Sequence, residues 1–273
     1  MNAMTRLLSI YMLCSAGANA QSLIYPLTVQ NQAAAKYAPS VIDVFTCAYN
    51  PAAAPFIRDF SIGIYTENRF LADELKLVTV AAAVKRSQSG ISLLLRHFGN
   101  IDYSESTFGF NYGFSFGKVS LGAIFNYGLL HIRGSPPESC IKYGVASLWQ
   151  ISEKVFTSFQ LTNPHFFAGG SKEQYPIATV TRFGIGYAPS EEFYIAMESQ
   201  KEEGKLPQAI VAICYQYAAK YFFNACWTTG THQPYIGTGW KWKSLRIETG
   251  CAFHQVLGIS PSVSMLYIKN EKH

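Results

Sequence analysis

From about Ile57 onward, apolar residues recur at every second position, the spacing that sends successive side chains to opposite faces of a strand. The clearest stretch is TFGFNYGFSF, where Phe108, Phe110, Tyr112, Phe114 and Phe116 share one face. Thr107, Gly109, Asn111, Gly113 and Ser115 share the other, a division no helix would produce. The next segment repeats it, with Val119, Leu121, Ala123, Phe125, Tyr127 and Leu129 alternating with smaller or more polar residues. The pattern predicts strands near 57–66, 74–85, 90–99, 104–116, 118–130, 140–149 and 154–162. It predicts further strands near 177–187, 192–199, 208–217, 220–229, 235–243, 245–255 and 258–268. These are 14 strands, and an even number is what a closed bacterial transmembrane barrel requires. The second, ELKLVTVAAAVK, alternates poorly.

The connections carry independent information. After even-numbered strands they are short, as at Gly117 with Lys118, Ala218 with Ala219, and Ser244. After odd-numbered strands most are long, as in NRFLADEL, HIRGSPPES, NPHFFAGGSKEQYP and QKEEGKLP. Short turns at one rim and long loops at the other fit periplasmic turns and extracellular loops, which places both termini on the periplasmic side. Lys85 to Ser89 and Val256 to Gly258 depart from the rule. Assigning the apolar face to lipid sends Asp59, Arg96, Lys142, Arg182, Glu198, Lys241, Arg246 and Glu248 inward. That is the economical solution, because an Arg or Lys at the midplane of the lipid face costs roughly 2–4 kcal/mol. Trp149, Trp227, Trp240 and Trp242 fall near strand ends or in late strands, as interfacial girdles demand. A secreted soluble β-sandwich that binds a partner or ligand would alternate too, and is the competing architecture.

The first twenty residues read as a signal peptide: Arg6, an apolar run from Leu7 to Leu13, and an A-x-A site at Ala18-Asn19-Ala20. Cys14 follows the apolar run, but Leu13 stands where a lipidation signal wants a small residue. Residues 21–56 then form an Ala-rich, turn-prone segment that is too apolar for water and too long for an idle linker. A hatch in the lumen of a barrel built by residues 57–273 accounts for both. Aromatic residues are 15% of the chain and charged residues 14%, against about 25% charged in soluble domains. That balance suits a lipid-facing surface, and the scattered Lys and Arg leave no nucleic-acid footprint.

At the junction of hatch and barrel stand Ser40-Val41-Ile42-Asp43-Val44-Phe45 and Tyr49-Asn50-Pro51-Ala52-Ala53. The chain resembles, on these residues, the FadL-type outer-membrane barrels and particularly their relatives in the Bacteroidota, which include the PorV and PorQ accessory barrels of type IX secretion. The run Glu67-Asn68-Arg69-Phe70 with Glu74-Leu75-Lys76 is similar to the first hairpin of small barrels from that lineage. The resemblance implies a 14-stranded barrel in the outer membrane with an N-terminal hatch, whose motif here is Asn50, Pro51 and Ala52. It implies a non-enzymatic role, either as a conduit for hydrophobic small molecules or as an accessory docked to a secretion-system component.

Site chemistry follows from the inward set. Asp59, Arg96, Lys142, Arg182, Arg246 and Glu248 are the candidates for lining the lumen, either as a polar pore or as a clamp on the hatch. Enzymatic motifs are lacking: there is no G-x-S-x-G, no H-E-x-x-H and no phosphate-cradling glycine loop. His254 with Ser260 or Ser262 is the best triad fragment, and a histidine with ordinary hydrogen bonds near a strand end is the simpler reading. Cys47, Cys140, Cys214, Cys226 and Cys251 follow the cleavage site without metal-ligand spacing, so no metal or cofactor is expected. They read as small apolar residues, mostly on strands. His165-Phe166-Phe167 sits in a loop as a rim cover or partner contact.

Overall fold

The computed structural model describes residues 35–164, 178–230 and 233–269. The signal peptide, the first part of the hatch segment and His165-Phe166-Phe167 lie outside the described residues. What is described is a single closed antiparallel barrel of 14 strands. In chain order these are β1 (Phe60–Asn68), β2 (Lys76–Arg86), β3 (Ser89–Gly99), β4 (Tyr103–Phe116), β5 (Val119–Ile132), β6 (Glu138–Gln150) and β7 (Val155–Thr162). The second half comprises β8 (Val180–Tyr187), β9 (Phe193–Glu202), β10 (Gln208–Tyr217), β11 (Tyr221–Thr228), β12 (Gln233–Trp242), β13 (Leu245–His254) and β14 (Gly258–Ile268). Each strand pairs with its sequence neighbours, and β1 closes on β14 in a register running from Ser61 opposite Ile268 to Glu67 opposite Ser262. Closure leaves no sheet edge and no second sheet, which removes the β-sandwich.

The exposed rows are apolar and the buried rows polar, the inverse of a soluble protein. Phe108, Phe110 and Tyr112 on β4, Leu93 and Leu95 on β3, and Ile213 and Tyr215 on β10 are exposed, whereas Glu198, Arg182, Arg246 and Glu248 are buried. Such a surface fits a surrounding of lipid. Trp149, Trp240 and Trp242 stand exposed at the strand ends nearest the termini, and Trp227 at the opposite ends, as two interfacial girdles.

β2 departs from simple alternation for a physical reason. Its inward residues Leu77, Thr79, Ala81 and Ala83 are as apolar as its outward Val78 and Val84, because part of this inner wall packs on the hatch rather than on water. Residues 57–59, expected in the first strand, instead complete the approach from the hatch, and β1 begins at Phe60. Several strands outrun their expected ends, β5 reaching Ile132 and β9 reaching Glu202, so the loops that follow are shorter than the sequence suggests. The short turns lie on the rim shared by the start of β1 and the end of β14.

Candidate functional site

The hatch enters the barrel with Lys36 and Tyr37 and turns into a short helix, α1 (Val44–Tyr49). Asp43 caps it: Thr46 N–H donates to Asp43 Oδ1 at 2.8 Å, and Asp43 N–H returns a bond to Thr46 Oγ1 at 3.3 Å. The other carboxylate oxygen receives Lys36 Nζ at 2.9 Å, in an ion pair buried on both sides. Burial alone would raise the Asp43 carboxyl, but Lys36 and Arg246 outweigh it and hold it below the ordinary carboxylate range. Burial likewise works against the Lys36 ammonium, and Asp43 together with Cys214 and Glu248 more than restores it.

At the far end of α1, carbonyls that no helical turn can satisfy are met by the barrel wall. Ser92 Oγ donates to Cys47 O at 3.0 Å, Asn111 Nδ2 to Ala48 O at 3.0 Å, and Gln160 Nε2 to Tyr49 O at 3.1 Å. Asn50 ends this helix and starts the next. Its Oδ1 accepts from Ala52 N–H at 3.1 Å, its Nδ2 donates to Ser158 Oγ at 2.8 Å, and Pro51 opens a 3₁₀ segment over Pro51–Phe56. Ala52, Ala53 and Ala54 are fully buried. They lie on a track of glycines, since Gly90, Gly113 and Gly122 stand side by side on β3, β4 and β5. A Cβ on Gly113 would sit 2.2 Å from the Pro51 carbonyl oxygen, so only glycine lets the hatch backbone come this close.

The opposite wall holds the hatch through one carboxylate. Glu198 on β9 accepts from the Tyr37 hydroxyl at 2.5 Å, the Tyr49 hydroxyl at 2.6 Å and Ala35 N–H at 3.3 Å. Tyr194, four residues earlier on the same inner face, accepts from Tyr37 N–H at 2.9 Å and donates to Ala35 O at 2.5 Å. Arg182 lies 4.8 Å over the Tyr49 ring. Burial, with Glu198 adding to it, pushes the Tyr37 phenol well above its ordinary value, so the hydroxyl remains a donor.

The structure distributes the candidate residues over three neighbourhoods. Arg182 touches the hatch. Arg246 pairs with Glu248 on β13, lies 4.0 Å over the Phe222 ring, and contributes to the field at Asp43. Arg96 and Lys142 stand further from the termini, around Glu105, which accepts from the Tyr103 hydroxyl. Nearby, Glu67 receives Arg69 Nε at 3.4 Å and the Tyr65 hydroxyl at 2.9 Å, and Arg69 lies 5.1 Å over Phe98. Asp59 is not on the wall: it precedes β1 at the rim, half-buried, where its carbonyl accepts Lys85 N–H at 2.8 Å. The links between the hatch and the wall are hydrogen bonds and ring contacts, and the Lys36–Asp43 ion pair is internal to the hatch.

The sequence reading puts Glu198 inward but not its three donors, names Glu67 only within the hairpin run that carries the resemblance, and passes over Glu105. The parity of β4, on which Glu105 shares a face with Gly109 and Asn111, was the available signal. His254 is occupied as a turn cap, its Nδ1 within 3.2 Å of Val256 N and 3.1 Å of Leu257 N, with its ring edge-on to Phe70. Ser260 Oγ accepts Phe70 N–H at 3.0 Å, so these residues serve the hairpin and the neighbouring loop. Cys47, Cys214, Cys226 and Cys251 are free thiols. Cys47 lies on α1, and Cys140, Cys214, Cys226 and Cys251 lie on strands.

Comparison with solved structures gives this geometry its context. The barrel matches the CymD monoaromatic hydrocarbon channel with a TM-score of 0.60 at 10% identity, over 85% of this chain and 94% of that one. The chain has the fold of outer-membrane channel barrels. The Ralstonia pickettii toluene transporter TbuX matches with a TM-score of 0.58 at 9% identity, over 84% of this chain and 94% of that one. The P. putida toluene transporter TodX gives 0.55 at 8% identity, over 84% and 95%. No protein-family model matches the chain, and no curated protein matches it in sequence. At these identities the shared property is the fold.

Proposed function

We propose that this protein is a FadL-like conduit of the outer membrane for hydrophobic small molecules, with residues 35–57 as its gate. The observation that carries the reading is the way the hatch is held. It lies inside a closed barrel on a glycine track and is tied to the far wall chiefly through Glu198 and Tyr194 of β9, by hydrogen bonds that water or a solute can replace. A solute travelling along the lumen meets this segment. The fold shared with hydrocarbon channels and toluene transporters supports the same class of cargo. The accessory role in type IX secretion rests on the sequence resemblance alone.

The lumen beyond the hatch mixes apolar and charged groups, with Leu77, Leu94 and Phe98 near Arg69, Arg96 and Glu105. Such a wall offers a hydrophobic solute contact area beside a charged neighbourhood. The test is uptake of toluene into proteoliposomes carrying the purified barrel, beside fractionation of cells to locate it. Uptake above protein-free vesicles, with the protein in the outer-membrane fraction, is the expected result. Absence of flux for toluene and for other hydrophobic solutes overturns the conduit.

A further inference from the structure

The two rims of the barrel treat their cations differently. At the loop rim Lys76 holds Asp73 at 2.7 Å, Arg133 holds Asp102 at 2.9 Å and Lys205 holds Glu202 at 2.9 Å. At the turn rim Lys85, Arg86, Lys118, Lys220, Lys243 and Lys269 are exposed, and among the described residues none of them makes an ion pair. Nor are they spread evenly around the ring. Following the closed sheet, they occupy the β10–β11, β12–β13, β2–β3 and β4–β5 turns and the residue after β14. Half-buried Asp59, beside Arg58, is the one carboxylate of that arc among the described residues. The remaining arc, at the β6–β7 and β8–β9 turns, sets Lys154 against Glu153, Glu191 and Glu192.

Depth decides what such an arc can meet. Its four turns are two or three residues long, so the cations stand at the strand ends and cannot reach far from them. Exposed aromatics mark those ends as the membrane interface. Tyr217, Tyr221 and Trp240 form one cross-strand row on β10, β11 and β12, with the Tyr217 and Tyr221 ring centroids 6.4 Å apart. Trp242 stacks on Trp240 at 6.3 Å, and Lys243 Nζ lies 5.8 Å from the Trp242 ring centroid. Lys243 itself takes a φ of +55°, a left-handed turn position that favours glycine or asparagine, so the backbone gives no reason for a lysine there. Successive turns are two strands apart, about 10 Å. That is comparable with the screening length of about 8 Å in physiological salt, so neighbouring turns act together on one anion.

We propose that the arc running from β10 through β14 to β5 binds anionic phospholipids of the leaflet at the turn rim. Their phosphates sit between the turns, and their acyl chains lie on the aromatic and aliphatic wall next to them. At this depth of a bilayer the anions at hand are headgroup phosphates, and each lysine near an anionic lipid surface favours it by about fivefold. A protein partner would have to be met by groups that reach beyond the headgroups, and the turns are too short to supply them. The acidic arc is left to zwitterionic lipid. The inference rests on the membrane setting and is independent of what travels through the lumen.

The experiment reads quenching of tryptophan fluorescence by phospholipids with brominated acyl chains. Trp149→Phe with Trp227→Phe leaves Trp240 and Trp242 as reporters within the arc, in vesicles of phosphatidylcholine mixed with phosphatidylglycerol. Brominating one lipid at a time gives the association constant of phosphatidylglycerol relative to phosphatidylcholine beside these rings. The expected ratio is about five. Lys220→Gln with Lys243→Gln should bring it close to unity, and so should salt of about 1 M, where the screening length is about 3 Å. Two control barrels should show no preference for phosphatidylglycerol: one keeps Trp227 at the loop rim as its sole tryptophan, and the other has Phe193→Trp, beside Glu191 and Glu192, as its sole tryptophan. Heat-modifiable migration reports that each variant folds, and the salt measurement needs no change of charge. The proposal is overturned by equal association of the two lipids beside Trp240 and Trp242, by the same preference in the control barrels, or by a preference that survives the double lysine substitution or high salt. Failure of toluene uptake would leave the lipid ratio as it is, so the two readings fall separately.

Discussion

Tyr49 and Glu198, 149 residues apart in the chain, meet inside the barrel at 2.6 Å, hydroxyl to carboxylate oxygen. The second oxygen of the same carboxylate takes Tyr37 at 2.5 Å. Hydrogen bonds to a charged group are worth about 1.5–3 kcal/mol each, and removing the acceptor leaves buried donors unpaired. Glu198→Ala is expected to loosen the hatch while leaving the wall intact, because the wall is held by its own ladder. Trypsin should then cut after Lys36, which is buried in the native barrel, while heat-modifiable migration persists. Glu198→Gln, which keeps one acceptor oxygen, should fall between the two. Equal resistance at Lys36 in all three proteins would remove Glu198 as the anchor.

The glycine track makes a separate prediction. Gly113→Ala places a Cβ where the Pro51 carbonyl oxygen now lies 2.2 Å away, and that contact is backbone that cannot rotate aside. Overpacking of this kind costs about 1–3 kcal/mol. The strain falls on the hatch, since the outward face of β4 is unchanged. Increased cleavage after Lys36, without loss of folded barrel on a gel, is the expected outcome. An unaffected hatch would mean that its backbone is not held against β4.

How much of this was legible in the sequence depends on what each element interacts with. Strands facing lipid on one side and the lumen on the other keep a strict period of two, so 208–217 and 258–268 were readable to the residue. β2 was blurred because its inner face meets an apolar hatch and needs no polar residue there. Asn50-Pro51-Ala52 was readable as the hatch motif, and the pairing of Asn50 with Ser158 was not, because alternation reports a residue's face but not which distant segment it touches. The same limit hid the donors of Glu198, all of which come from the hatch. Asp59 stands one residue before β1, where parity no longer governs direction.

The hatch also sets a pH dependence. Asp43 belongs to the hatch and not to the membrane-spanning wall, and its carboxyl is held below the ordinary range. A depressed folded value stabilises above the unfolded value, about 3.9, and that stabilisation is lost as pH falls through the folded value. Lys36, held above its ordinary value, stabilises below about 10.4 and loses its contribution as pH rises through the folded value. Hatch protection should therefore be flat across neutral pH and fall at both extremes. Pulse labelling by an acid-stable protease and by trypsin at alkaline pH reads the two limbs. Asp43→Asn should erase the acid limb, since it removes the titrating group, and an acid limb persisting in that variant would assign it elsewhere.

The reversed surface of the barrel gives the sharpest contrast between neighbouring residues. Phe110 faces outward in the middle of the apolar band, and Asn111, next to it, is fully buried in the lumen beneath the hatch. Phe110→Arg puts a cation into hydrocarbon, at a cost of roughly 2–4 kcal/mol at the midplane. In a soluble β-protein the same exposed position would accept arginine with little change, within about 0.5 kcal/mol. Urea titration of the barrel folded into phosphatidylcholine vesicles measures the difference directly. Asn111→Ala should respond in another way, because it removes the donor to Ala48 O and loosens the hatch without touching the lipid contact. A Phe110→Arg barrel as stable in vesicles as wild type would contradict the lipid-facing assignment of this row, and with it the membrane setting on which the orientation of all 14 strands rests.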